Sequence, residues 1–468
     1  MSKDNERSKE WIQGKQGDLF AMNHESGTRK GWGTPRKDQM IELFSRLEVQ
    51  RTLTTDTVDK ISDESHLIKA FRHVKRNDGA AGIDGITLDD YERDLSANIK
   101  QLQNHLKAGT YEPSAVRGVE IEKPNGGTRQ LGIPTIGDRI VQQSLQTELQ
   151  SVFDPYFSEN SYGFRPGRSA HQAVERASEY VKEGKIWVVD IDLKSFFDEI
   201  NHDRLMNRLR KSVTDKKLLK LIHQFLRAGL MQGGVETQRI SGTPQGGPLS
   251  PLLSNIVLDE LDKELEVRGL NFVRYADDCN IFVGSERSAQ RVLKTMTTFI
   301  EKKLKLKVNF DKSGVRRCDD VKFLGHTIMK DGKIRIADKS IVRFKVKIRE
   351  VTKRNRAISL RKLIEELNLI IQGWAIYYRK RNTWLSVLRE MDGWIRNRIR
   401  CYVLKLHGRK YATYRFLRSL GVNERRSWNA VRFYGWWPMA NLSSVRKGMG
   451  MTWFYELGLR SLFAVQKG

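Results

Sequence analysis

The chain has 468 residues, enough for two or three domains with sizeable cores, and a formal charge of +27. No run of eighteen apolar residues occurs, and the N-terminus (Met1-Ser2-Lys3-Asp4-Asn5-Glu6-Arg7) lacks the apolar core of a signal peptide, so the expectation is a cytoplasmic protein with no membrane partner. Cys279, Cys318 and Cys401 stand singly, which suits neither a disulfide framework nor a zinc site.

The charge is unevenly placed. From Ile341 to Gly468 there are 28 Lys/Arg against 7 Asp/Glu, whereas the first 340 residues hold 55 against 49. Seven of the ten tryptophans lie in that basic segment, so it reads as folded rather than as a disordered tail. A folded segment this basic repels itself unless it faces a polyanion, which points to nucleic acid. A membrane surface is the weaker alternative, because no single basic helix carries a Trp/Leu face.

In chain order, residues 1–38 are polar and read as a disordered or loosely docked extension. Helical spacing follows over Met40–Arg51, over Leu67–Val74 and over Tyr91–Leu106. Val119–Lys123 and Arg129–Ile133 form an expected hairpin about Asn125-Gly126-Gly127, followed by a helix over Asp138–Phe153. Short strands alternate with helices from about 185 to 330, the pattern of an α+β domain with a largely antiparallel sheet. Its last strand pair is expected to be Val321–Gly325 with Lys333–Ile336. Beyond 338 the pattern turns helical, with Leu363, Leu367, Ile370, Ile371, Trp374 and Tyr378 on one face.

Two segments carry the chemistry. Val273-Arg274-Tyr275-Ala276-Asp277-Asp278-Cys279-Asn280-Ile281-Phe282-Val283 reads as strand, tight turn, strand, with two carboxylates at the tip. Adjacent carboxylates repel unless a cation lies between them, so the pair is natural for a divalent metal; alone it would read as a solvated acidic turn. Ile186–Ile191 is a buried-strand pattern that runs into Asp192. A third carboxylate on a facing strand end completes the set that phosphoryl transfer with two metal ions needs. Asp190 competes with Asp192, since alternate residues on a strand share a face, but Asp192 stands nearer the reachable end.

Tyr275-Ala276-Asp277-Asp278 resembles the palm signature of reverse transcriptases. The blocks around it resemble the bacterial group II intron reverse transcriptase/maturase family, from about Ser65 to the end of the chain. The resemblance implies a right-hand polymerase of α+β class: fingers at 39–184, palm at 185–337, a helical thumb or maturase domain at 338–405, and a small basic DNA-binding domain at 406–468. It implies that Asp192, Leu193, Asp277 and Asp278 hold two Mg²⁺, with Mn²⁺ as a substitute. The pattern of Asp, apolar, Lys, small, aromatic, Phe fits Asp192 to Phe197, and Phe197 takes the place of the aromatic that excludes a 2′-hydroxyl. Glu122 to Pro134 resembles the fingers block, which turns Lys123 and Arg129 from a solvated hairpin edge into triphosphate ligands. Gly242 to Ile256 resembles the nucleotide-binding turn, with Gln245 at the incoming sugar.

Ser161–Ser169, with Arg165 and Arg168, has the composition of a loop that meets backbone phosphates, the alternative being a structural Arg-Pro turn. Asn309–Ser313 and Phe323-Leu324-Gly325 match the closing palm blocks, and Lys312 is placed near the active site. Gln372–Arg379 resembles the maturase thumb motif. Its tyrosines and tryptophan read as core, while Arg379, Lys380, Arg381, Arg396, Arg398 and Arg400 would meet phosphates if they face outward. Gly435-Trp436-Trp437 and Gly458–Leu462 resemble a DNA-binding tail. The implied partners are group II intron RNA, an RNA template with a DNA or RNA primer, target DNA and deoxynucleoside triphosphates, in a bacterial ribonucleoprotein particle; a homodimer stays open. No Cys/His cluster of the HNH type closes the chain, which implies no second-strand nicking by it. The rivals are a polymerase-dead RNA-binding splicing factor and a reverse transcriptase outside introns, defence-associated or diversity-generating.

Overall fold

A computed structural model describes residues 57–122, 128–232, 235–237, 241–243, 246–356, 358–379 and 386–463. The expected helix over Met40–Arg51 and the residues Lys123, Gln245, Lys380 and Arg381 lie outside them.

Ten strands among the described residues form three sheets. The central one has the order β6 (Asn271–Tyr275), β7 (Asp278–Val283), β3 (Trp187–Ile191), β8 (Gly314–Arg317), antiparallel throughout. Alternation sends Val189, Ile191 and Ile281 to one core, with the helices Ile136–Phe153 and Ser250–Val267, and Val188 and Phe282 to another, beneath the helix Ala170–Lys182. Both faces are therefore covered, which explains why β3 reads as a continuous apolar run rather than an alternating one.

The expected hairpin is present as β1 (Val116–Glu122) against β2 (Thr128–Ile133), with Ile121 opposite Arg129. Two further strands, β4 (Leu230–Gln232) and β5 (Val235–Thr237), extend this sheet, β4 running parallel to β1 with Val116 opposite Leu230. The chain thus leaves the central sheet after β3 and returns to the hairpin sheet before reaching β6.

Local chemistry sets the helix limits. Thr135 accepts the Asp138 N–H at 3.1 Å and starts Ile136–Phe153, two residues before the expected Asp138. The expected Tyr91–Leu106 helix is two helices, Leu88–Arg93 and Leu95–Ala108. Asp94 leaves the helical region (φ −113°, ψ 32°), and Asn98 donates from Nδ2 to the Tyr91 carbonyl at 3.0 Å. The expected strand Val321–Gly325 is corrected. Leu324 and Gly325 both turn left-handed (φ 48° and 80°), so the chain reverses there. The strand that pairs with β10 (Ile334–Ile336) is β9 (His326–Ile328).

Beyond Ile336 the described residues are helical and share one core. The helix Leu360–Tyr378 buries Leu363, Leu367, Ile371 and Tyr378, and Ile370 and Trp374 pack at its margin. Its end is fastened to the reversal after β8: Tyr377 donates from its hydroxyl to the Leu324 carbonyl at 2.9 Å, and its own carbonyl lies 2.7 Å from His171 Nε2. None of the described helices is long and apolar enough to cross a membrane.

Candidate active site

The Asp277-Asp278 turn is a two-residue hairpin loop: Tyr275 pairs with Asp278, and Ala276 and Asp277 form the tip. Such tight turns match the strand twist when the first loop residue has positive φ, and Ala276 does (φ 58°). A side chain in that region stores about 1–3 kcal/mol of strain, so something must hold it.

Arg274 holds it. Its side chain is completely buried. Nε and Nη2 donate to the two Asp262 carboxylate oxygens at 2.7 and 2.6 Å, and Nη1 donates to Asn255 Oδ1 at 2.9 Å and to the Ala276 carbonyl at 2.8 Å. Nη2 also reaches Ser161 Oγ at 2.7 Å. Behind the turn, Asn255 Nδ2 donates to the Gly163 carbonyl at 2.9 Å. A Cβ on Gly163 would stand 2.3 Å from the Ala276 nitrogen, so only glycine lets this loop lie flat against the tip. Gly163→Ala is expected to keep the overall fold but push the tip out of place, cutting the turnover that depends on the tip carboxylates on the order of 100-fold, the scale for a displacement of about 1 Å. Circular dichroism beside steady-state kinetics checks both halves.

Asp190 and Asp278 share one face. Asp190 stands opposite Asn280 across the β3–β7 ladder, and Asp278 lies two residues before Asn280. Burial, then the charges of Asp190, Asp277 and Asp192, push the Asp278 carboxyl up to about 7. Asp190 is itself raised by burial, against the pull of Arg316, whose Nη1 is 2.8 Å from it. Asp192 lies just past the end of β3, where its backbone N–H donates to Ser313 Oγ at 2.9 Å and Leu193 bridges to Val308. Its carboxylate accepts from Asn309 Nδ2 at 3.0 Å and faces Lys312 Nζ at 3.2 Å. Among the described residues no three acidic, His or Cys side chains are already gathered as a metal cage. The donor set nevertheless fits a cation: neighbouring acids add to the rise that burial gives Asp278 and Asp190, and Asn280 Oδ1 is buried without a partner among the described residues.

Phe197 is buried, edge-on to Phe196 with centroids 5.3 Å apart. Its carbonyl accepts the Thr243 N–H at 2.7 Å, which ties Gly242 and Thr243 to the segment after β3. At Gly246 (φ 130°) a Cβ would meet the Gly132 carbonyl oxygen at 2.5 Å, so Gly246 is pressed against β2. The described residues Thr243 and Gly246 therefore adjoin the segment of Phe197 and β2 respectively. The Arg129 backbone is in β2.

Two expected phosphate ligands are corrected. Arg165 is buried and spends its guanidinium on Asp154 (2.9 Å from Nε) and on the Ser158 and Ser161 carbonyls (2.6 and 2.9 Å), so it shapes the loop. Arg400 is also buried: Nε and Nη2 both donate to the Met449 carbonyl, and burial lowers it to about 10. Arg398 is partly buried and spans two helices through Thr352 Oγ1 at 2.9 Å. Arg396 is half-buried, Arg168 pairs with Glu159, and Arg379 follows the end of its helix. Arg274, Asp262, Asn255, Ser161, Asn309 and Ser313 were not singled out for these supporting roles by sequence.

An antiparallel sheet that carries Asp190 and Asp278 on one face, with Asp192 just past a strand end, is an arrangement suited to metal-assisted nucleotidyl transfer. Residues 121–328 match the family described as reverse transcriptase (RNA-dependent DNA polymerase), and residues 341–421 match the group II intron maturase-specific domain. Protein YkfC of Escherichia coli (strain K12) is 31% identical over 326 residues, covering 61% of this chain and 84% of that protein. Group II intron-encoded protein LtrA of Lactococcus lactis subsp. cremoris is 40% identical over 197 residues, 42% of this chain but only 32% of LtrA. The match thus spans about a third of LtrA's length. A solved chain of a partial Cas6-RT-Cas1–Cas2 complex overlays with a TM-score of 0.35 at 25% identity, over 60% of this chain and 46% of that one. The chain belongs to the group II intron reverse transcriptase/maturase family and carries that family's RNA-directed DNA polymerase domain. Members of the reverse transcriptase class use divalent metal ions.

Proposed function

We propose that this chain copies RNA into DNA by adding deoxynucleotides to a primer 3′-hydroxyl, and that its natural template is a group II intron RNA whose folding and splicing it also assists. In a cell this would serve retrohoming by target-primed reverse transcription in a ribonucleoprotein particle, with target DNA as a further partner. The observation that supports the catalytic half is the crowding of Asp190, Asp192, Asp277 and Asp278 at one sheet end, which leaves Asp278 short of a cation at neutral pH.

Asp192, Asp277 and Asp278, with the Leu193 carbonyl, are the proposed holders of two Mg²⁺ (or Mn²⁺), which when bound would favour ionisation of the attacking hydroxyl and steady the departing pyrophosphate. Lys312 would neutralise Asp192 until the site is loaded. Lys123, Arg129 and Gln245 would receive the triphosphate and sugar, and Phe197 would stand against C2′. Arg274 and Gly163 keep the two tip carboxylates from moving as charge builds up, which is how positioning lowers a phosphoryl-transfer barrier. The thumb at 338–405 and the basic segment at 406–468 are the proposed grip on intron RNA and target DNA, with Arg168, Arg379, Lys380, Arg381 and Arg396 as surface contacts.

Primer extension on poly(rA)/oligo(dT) tests the reading. Wild type should extend the primer, and Asp277→Ala should fall by on the order of 10³-fold, the scale for removing one charge partner of a transition state. A silent wild type that still binds RNA would return the chain to the splicing-factor reading.

A further inference from the structure

Three separate segments of the basic half meet at a concavity of about 440 Å³. Lys353, Arg354 and Asn355 come from the turn after the helix Asp338–Val351, and Arg398 and Lys405 from the helix Ser386–His407. Trp436 opens the helix Trp436–Asn441. Four of these six side chains are cations and none is acidic. Lys353, Arg354 and Lys405 form no ion pair among the described residues, although the neighbouring Arg356 is held by Glu366 at 2.8 Å. Arg398 is fixed at the wall by Thr352 Oγ1 and by the Arg349 and Thr352 carbonyls. Burial, then the charges of Arg354 and Arg349, weaken its hold on its own proton. Arg398 and Lys405 are seven residues apart, so they lie along one helix face, roughly 10 Å from each other.

We propose that this cleft binds two or three consecutive phosphates of a nucleic-acid strand, with the Trp436 indole beside a base or sugar. The proposal rests on the nucleic-acid reading above and names a place for it. The lining offers the Arg354 guanidinium and the Lys353 and Lys405 ammonium groups, the two kinds of cation with which proteins meet phosphate oxygens. Packing these cations together without an acid is unfavourable unless a polyanion neutralises them. A single small anion would reach only part of the row, whereas a strand presents phosphates along its length. Because the walls belong to three segments, a bound strand would also fasten the Trp436 helix to the maturase helices.

The test uses the full chain with Lys353→Gln, Arg354→Gln and Lys405→Gln together, which spares the structural Arg398. Affinity is measured against salt for a structured RNA and, separately, for a DNA duplex of equal length. Each lost phosphate contact flattens the slope of log K against log salt by about 0.7–0.9, so the triple variant should be shallower by about 2 and at least about tenfold weaker at 0.1 M salt. Loss with RNA alone, DNA alone, or both identifies the source of the strand and supports the cleft. A charge-matched control, Lys100→Gln with Lys107→Gln and Lys294→Gln, should leave the slope within about 0.5. An unchanged slope in the cleft variant, or an equal change in the control, overturns the proposal. A wild type that binds RNA but extends no primer would sink the polymerase reading and leave this measurement intact. A wild type that extends primers beside an unmoved slope would sink only the cleft.

Discussion

Arg274→Met should lower the melting temperature by about 10 °C, because it strands the Asp262 carboxylate in the interior; breaking a buried pair costs about 3–5 kcal/mol, and each kcal/mol is worth roughly 2–4 °C in a domain of this class. Both side chains are fully shielded from water, so the abandoned charge has no solvent to fall back on. The double variant Arg274→Met with Asp262→Leu removes both charges and should recover at least half of that loss, since an apolar replacement for a buried ion pair is often neutral. Polymerase activity should not recover with it. The Ala276 carbonyl and Ser161 hydroxyl would still lack the donors that set the turn. Thermal unfolding and primer extension on the same two proteins separate the roles. A stable double variant with full activity would reduce Arg274 to a charge partner.

Asp278→Asn should do the opposite to stability while removing catalysis. The Asp278 carboxyl is pushed up to about 7 by burial and three neighbouring acids, whereas in the unfolded chain it titrates near 3.8. Between those values the folded protein holds a proton that the unfolded chain has already lost. Stability of the metal-free protein therefore falls as pH rises from about 4 to about 7, and above that the full penalty is present. The Asn variant should be flatter over this window and melt several degrees higher than wild type at pH 8 without metal. Added Mg²⁺ should raise the wild-type melting temperature at pH 8 and leave the variant nearly unmoved. A variant that melts at or below wild type without metal would show that the acids are not in conflict.

Much of the central sheet was legible because its signals are local. The Asp-Asp turn lies between short apolar strands that pair as the pattern expects, and the helix Leu360–Tyr378 keeps its buried face where the spacing put it. What was hidden depends on partners far away in the chain. An arginine inside a strand looks like a surface charge until Asp262, Asn255 and Ser161, 12 to 113 residues distant, arrive around it. Arg165 and Arg400 were misplaced for the same reason, since their acceptors are largely backbone carbonyls that no composition reveals. The reversal at Leu324 escaped notice because leucine rarely adopts positive φ, and the bonds that hold it come from Tyr377, His326, Ser340 and Ala337, which act on the Leu324 and Gly325 carbonyls.

The detour of β4 and β5 bears on any attempt to divide the molecule. A fragment cut at residue 184 would strip β1 of its parallel neighbour and leave a bare hydrogen-bonding margin open to other chains. The complementary piece would carry two orphan strands with nothing to lean on. Transplanting the catalytic sheet into another scaffold would therefore have to bring β1 and β2 along, so the inheritable unit is the pair of sheets together.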